Sequence, residues 1–203
     1  MHNIHNIMEI VQLNANAKLS EHFTLGEFTK SGSHPEVYNI PSHEAIENMK
    51  RLCTWLEVLR ERYNDKYVIN PSLSSRPSAA RGEISQMRLE AQAASRRDVS
   101  TTLDMTGGGG APIRINSGYR SPQLNRAIGR VANSNHLTGC AADIRVSGME
   151  QLIRYAVILM DYADESKQEF DELLIERNRC GAIWLHFAVR ASNNRRKVAF
   201  INA

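Results

Sequence analysis

Residues 133–146 read NSNHLTGCAADIRV, and the reading of this stretch decides the fold. It passes from a polar loop through Gly139 into a run, 140–146, with the alternation of a strand. Ala141, Asp143 and Arg145 fall on one face, and Ala142, Ile144 and Val146 on the other. Asp143 therefore faces away from the core-facing Ile144. Six residues separate His136 from Asp143, with Gly139 among them, so a tight turn can bring a loop imidazole alongside a strand carboxylate.

Working outward, the spacing of Leu152, Ile153, Ala156, Val157 and Met160 predicts an amphipathic helix over 149–162. ELLIE from Glu172 and AIWLHFAV from Ala182 read as two strands joined by a polar NRCG turn, hence an antiparallel hairpin. His186 then faces the same way as Trp184 and Ala188. On the amino-terminal side, PIRIN at 112–116 alternates Ile113 and Ile115 against polar neighbours and reads as a short strand. After the turn SGYR, Ser121 and Pro122 are a cap and first-turn pair for a helix over 122–128, stopped by Gly129. Ile46, Met49, Leu52, Leu56 and Leu59 recur at spacings of three and four and predict a helix over 42–63. In LSEHFTLGEF, residues 19–28, Ser20 or Thr24 can cap a short turn that packs Phe23, Leu25 and Phe28 inward.

Residues 64–111 break the pattern. Pro71 and Pro77 punctuate a Ser/Arg-rich segment, a helical run ISQMRLEAQAA follows at 84–94, and Gly107 to Gly110 end it. The composition predicts a mobile insertion into a single domain that spans 1–203, because such segments bury too little apolar surface to offset their ordering entropy. Arg76, Arg81, Arg88, Arg96 and Arg97 make it basic, as a solvated loop or as a binding element. With no internal repeat, the order of helix, insertion, strand, short helix, strand, helix and two strands is an α+β pattern.

The chain has 203 residues, 42% hydrophobic and 23% charged, with a net charge of +3, which fits one globular core and excludes a disordered chain. Cys53, Cys140 and Cys180 are an odd number without a Cys-x-x-Cys pair, so neither a disulfide framework nor a thiolate zinc site is expected. No stretch reaches the length of a membrane span, and the amino terminus lacks the basic-then-apolar order of a secretory signal. Cytoplasmic synthesis is expected, with another route out for any work beyond the membrane. The arginines of the insertion lack interleaved aromatics, so no nucleic-acid partner is expected. A monomer is expected.

Of the seven histidines, His2, His5, His22, His34 and His43 lie in or near the polar amino-terminal part and read as surface or local structural residues. His136 and His186 lie beside or within predicted core strands, where an imidazole needs a polar partner or a metal. For either alone, a hydrogen-bonded core histidine is the ordinary reading. Together with Asp143 they make a ligand set of two imidazoles and one carboxylate, which leaves a tetrahedral position open in the style of a catalytic zinc site.

SGYRSPQLN at 117–125, SNHLTGCAAD at 134–143 and WLH at 184–186 resemble the M15 family of zinc D-Ala-D-Ala carboxypeptidases and related phage endolysins. The opening LSEHFTLGEF is similar to the start of the branch often called peptidase M15A. The resemblance implies a Hedgehog/DD-peptidase-like fold, a small antiparallel sheet with flanking helices. It implies Zn2+ held by His136, Asp143 and His186, and a catalytic and substrate-binding Arg120 that pairs with a carboxylate or carbonyl of the substrate. Ser117, Tyr119 and Ser134 stand beside it as substrate-side or turn-forming groups.

Better known members carry an acidic residue three positions before the last histidine, where this chain has Ile183. On a regular strand that position points to the opposite face, so Ile183 reads as core. Glu176, at the end of ELLIE, is the expected general base, with Glu172 as the alternative. The implied activity is hydrolysis of peptidoglycan stem peptide, as a carboxypeptidase or a murein endopeptidase, acting on the cell wall in the periplasm after release of a phage or prophage product. The alternative is a non-catalytic zinc-bearing module on the same fold that binds cell-wall peptide or a protein, which a lost acid at position 183 would permit.

Overall fold

A computed structural model describes residues 14–69, 110–129 and 132–202. The chain divides into two compact units, one made of Met1–Tyr63 with Pro112–Ala203, the other of Asn64–Ala111. In the described part of the second unit, Asn64–Ile69 is a π-helical stretch. Its first residue meets the unit's last: the Ala111 amide donates to Asn64 Oδ1 at 2.7 Å, and Asn64 Nδ2 donates to the Ala111 carbonyl at 3.1 Å. The predicted helical run at 84–94 lies outside the described residues.

The first unit begins with helix α1 (Leu25–Thr29) and helix α2 (His43–Tyr63). Thr24 precedes α1, and the Glu27 carboxylate reaches back to accept from the Thr24 amide at 2.7 Å and its hydroxyl at 3.0 Å. Ser20 does not cap; its hydroxyl donates to Glu57 on α2 at 2.6 Å, and Phe23, Leu25 and Phe28 are buried as their pattern requires. Ser42 opens α2, its hydroxyl accepting from the Ala45 amide.

Strand β1 (Ile115–Ser117) starts later than PIRIN suggests: Ile113 is buried but precedes it, and the pairing with the next strand is irregular between Ile115 and Ser117. Helix α3 (Pro122–Ala127) has the expected Ser121 cap, whose Oγ accepts from the Leu124 amide at 3.2 Å. A 3-10 turn (Asn135–Thr138), where the sequence showed only a polar loop, carries His136 into strand β2 (Ala141–Arg145). Helix α4 (Met149–Ser166) runs a turn longer than its periodicity predicts and ends at Lys167, which takes a left-handed φ of 57°.

Strands β3 (Glu172–Arg177) and β4 (Ile183–Ala188) form the expected antiparallel hairpin. Strand β5 (Lys197–Asn202) was not predicted, and it pairs parallel with β3. The sheet, ordered β1-β2-β4-β3-β5, is therefore mixed rather than purely antiparallel. The reason the pattern hid β5 is physical: as an edge strand it leaves Val198 and Phe200 more than half exposed, so its alternation marks no buried face.

The architecture is α+β. Ile144, Leu185, Phe187 and Leu173 lie on the core face of the sheet, all fully buried. Trp55 of α2 is edge-on to Tyr162 of α4 at 4.8 Å between centroids and tilted against Phe187 of β4 at 5.5 Å. Burial of each such side chain contributes about 1.5–3 kcal/mol. That core fixes the sheet, and the opposite face of the sheet carries the polar side chains of interest. No helix among the described residues is long and apolar enough to cross a membrane.

Candidate metal centre

Antiparallel pairing sets Asp143 of β2 directly opposite His186 of β4, so alternation sends both side chains to the same face. His136 arrives from the 3-10 turn. Its loop is closed by Gly139, at φ 72°, and held to α2 by Asn48, whose amide donates to the Thr138 carbonyl at 2.9 Å. Ser134 starts this turn, its Oγ accepting from the His136 amide at 3.4 Å.

Three donor atoms converge. Asp143 Oδ1 lies 2.9 Å from His186 Nδ1 and 3.3 Å from His136 Nε2, and the two imidazole nitrogens are 3.2 Å apart. Metal–ligand bonds of roughly 2.0–2.2 Å in tetrahedral geometry put neighbouring donors about 3.3–3.6 Å apart, so this spacing lies within a few tenths of an ångström of that around a shared ion. His136, Asp143 and His186 are the group among the described residues that could hold a metal ion.

The same proximity sets the charges of the three groups in the apoprotein. Burial pushes the Asp143 carboxyl up, but the two imidazoles, by charge and hydrogen bond, outweigh it and hold the group well below the usual carboxylate range. For His186, burial lowers the pKa, yet hydrogen bonds to Asp143 and Glu172 and the charges of Asp143 and Glu176 raise it to about 9. His136, the more deeply buried ring, is lowered by burial despite Asp143. Its Nδ1 donates to the Gly118 carbonyl at 2.6 Å, which leaves Nε2 to point at Asp143.

The SGYR turn forms the wall of a cleft of about 370 Å3 that reaches Asp143. Ser117, Tyr119 and Arg120 line it from this turn, Leu124 and Ile128 from the α3 side, and Lys30 to Ser33 from the end of α1. The turn is fastened to α1 by Asn39, whose Nδ2 donates to the Thr29 and Tyr119 carbonyls at 2.8 Å and whose Oδ1 accepts from the Ser121 amide at 2.6 Å. Gly118 permits this approach: a Cβ there would sit 2.6 Å from the Phe28 carbonyl oxygen. The Arg120 amide donates to the His136 carbonyl at 3.0 Å, which ties the turn to the metal-site loop.

Both candidate bases lie on the site face of β3. Glu172 Oε2 is 3.5 Å from His186 Nε2, while Glu176 pairs in register with Trp184, two residues further along the sheet. Ile183 is half-buried on β4 and carries no acid. Glu172 is enclosed by partners: Asn135 Nδ2 donates to Oε2 at 2.9 Å and Arg195 Nη2 lies 2.8 Å from Oε1. The hydrogen bond with His186 and the charges of His186, Arg195 and Lys197 outweigh burial and hold its pKa at about 2.

Sequence reasoning missed Asn39, Asn48, Lys30 and Arg195, which lie outside the quoted motifs, and gave no role to Asn135 within SNHLTGCAAD. The charge pair Asp171 and Arg195 could have been suspected only with β5 in place. His22 and His34 are local, as expected, beside Glu57 and Glu36. His2 and His5 lie outside the described residues.

Among curated proteins, none matches this chain. A family model described as Peptidase M15 matches residues 92–159, a span that includes Arg120, His136 and Asp143 and stops short of His186. The match supports assignment to that family and, with the His-Asp-His group, a metallopeptidase type of activity.

Proposed function

We propose, with the peptidase M15 assignment as the premise, that the chain is a zinc peptidase of the Hedgehog/DD-peptidase type that hydrolyses peptide bonds in peptidoglycan stem peptides. The observation that carries this reading is the triangle of donor atoms, 2.9 to 3.3 Å on its sides, whose Asp143 corner lines the cleft shared with Arg120. Two imidazole nitrogens and one carboxylate oxygen suit a borderline-soft divalent ion, and a zinc ion held there would supply Lewis acidity to a carbonyl and acidify water.

The chain's own residues supply the rest. Arg120, buried at the cleft wall, carries a planar fork of donors suited to pair with a carboxylate or carbonyl of the substrate peptide. Lys30 adds a second cation to the same wall, so the cleft favours an anionic peptide. Glu176 takes the proton from the attacking water. Glu172 is the alternative, and its carboxylate is engaged by Arg195 and Asn135. Glu176 shares the site face and its charge is felt by His186.

The test is turnover of purified murein by the zinc-loaded protein, read as released D-alanine or newly exposed amino termini. Wild type is expected to turn over, and Glu176→Gln to lose about 10²–10⁴ of kcat while keeping its zinc. Tight murein binding with no turnover by the wild type would instead identify a cell-wall-binding module on this fold.

A further inference from the structure

Each of the two imidazoles has an outer nitrogen as well as the one turned towards the metal site. For His136 the outer nitrogen, Nδ1, is engaged by the Gly118 carbonyl at 2.6 Å. For His186 the geometry is reversed: Nδ1 faces Asp143 and His136, and Nε2 points to the other side, where Glu172 Oε2 stands at 3.5 Å. A metal-bound imidazole must be neutral, with its proton on the outer nitrogen. The acceptor found by that proton fixes both the tautomer and the plane of the ring.

Glu172 is itself held on both oxygens. Oε1 faces Arg195 Nη2 at 2.8 Å and Lys197 Nζ at 3.6 Å, and Oε2 accepts from Asn135 Nδ2 at 2.9 Å. Behind it, Asp171 is fully buried and grips Arg195 through two bonds of 2.7 Å, while its Oδ2 accepts from the same Asn135 amide at 2.7 Å. Arg190 Nε closes the ring, donating to Asn135 Oδ1 at 2.9 Å and lying 3.0 Å from Asp171. A buried aspartate and three partly exposed cations thus hold in place one carboxylate, whose Oε2 stands 3.5 Å from His186 Nε2.

We propose that Glu172 is a positioning residue of the metal site, accepting the Nε2 proton of His186 and so committing Nδ1 to the ion. The inference rests on the zinc-peptidase reading of the same site. Its bland alternative is that Glu172 only ties β3 to β5 through Arg195 and Lys197. The two differ in what the acceptor does for the metal. Loss of such an outer partner lowers metal affinity about 10–100-fold, whereas a strand tie leaves affinity alone once the protein is folded.

The experiment measures zinc affinity by chelator competition for wild type, Glu172→Ala, Glu172→Gln and Lys197→Ala, with urea unfolding of each apoprotein alongside. The 15N signal of the His186 Nε2–H is followed in the zinc-loaded forms. Glu172→Ala is expected to bind zinc about 10–100-fold more weakly and to lose the hydrogen-bonded Nε2–H signal. Glu172→Gln, which keeps an acceptor oxygen, is expected to recover most of the affinity; if the alanine variant does not fold, the zinc-loaded wild type decides, since a His186 Nε2–H signal without hydrogen-bond character overturns the positioning role. Lys197→Ala, which touches Glu172 but not His186, is expected to bind as wild type does. Wild-type affinity in Glu172→Ala, or an equal loss in Lys197→Ala, overturns the positioning role alone; failure of the wild type to bind zinc overturns the reading beneath it.

Discussion

Replacing Gly139 by alanine separates two physical costs that the structure places at one residue. Gly139 has φ 72°, and a Cβ added there would lie 2.4 Å from the Ala45 carbonyl oxygen, inside the first turn of α2. Gly129 has φ 66° with nothing within 4 Å of an added Cβ. The left-handed backbone costs an L-residue about 1–2 kcal/mol, partly offset by the smaller entropy of the unfolded alanine chain, so Gly129→Ala should lose about 1 kcal/mol. At Gly139 the clash is with helix backbone, which cannot swing aside, and overpacking of this kind adds about 1–3 kcal/mol. Gly139→Ala should therefore lose about 3 kcal/mol, a large share of a typical stability of about 5–15 kcal/mol. Urea unfolding read by midpoint at constant slope gives both values. Because Gly139 sits between His136 and Asp143, its alanine variant should also bind zinc more weakly, while Gly129→Ala should not. Equal losses of stability in the two variants would refute the argument that the helix contact, and not φ alone, holds the loop.

Arg120→Lys keeps the charge and loses the fork, so kcat/KM on stem peptide should fall about 10–150-fold, the worth of a charge-assisted hydrogen bond; an unchanged value would remove Arg120 from substrate binding. Asp171 yields a pH prediction. Burial pushes its carboxyl up, but hydrogen bonds from Arg195 and Asn135 and the charges of Arg190 and Arg195 outweigh this and hold it below the ordinary value. Its contribution to stability is thus complete above the ordinary carboxylate range and is lost as pH falls through the lowered folded value. Wild type should lose stability on acidification in urea melts, while Asp171→Asn, weaker by about 1–2 kcal/mol near neutrality because the arginines it leaves are partly solvated, should show a flatter acid limb. Parallel acid limbs would contradict the assignment.

The parts of the fold legible in the sequence were those whose burial is one-sided. Ile46 to Leu59 mark one stripe of α2, and Leu152 to Met160 one stripe of α4, because each helix buries a single face. β5 left no such mark, since Val198 and Phe200 point to solvent and its pairing is supplied by β3. The convergence of His136, Asp143 and His186 could be anticipated because alternation in two strands fixes the faces of Asp143 and His186, and Gly139 marks the turn that brings His136 alongside. That Glu172, the alternative base by sequence, stands beside the outer nitrogen of His186 was not anticipated. Glu172 and Glu176 are equivalent by alternation, and only the two-residue register of β3 against β4, with Arg195 arriving after β4, tells them apart. The asparagines that fasten the loops act through backbone carbonyls distant in sequence, and such bonds leave no periodic signal.

Equilibrium zinc binding to the apoprotein, with metal content measured after removal of excess ion, tests the central claim most directly. One zinc per chain is predicted for wild type, with Asp143→Ala and His186→Ala retaining native folding and losing the stoichiometric ion. A wild-type chain that takes up no divalent metal when supplied in excess, or variants that hold it as tightly, would contradict the account.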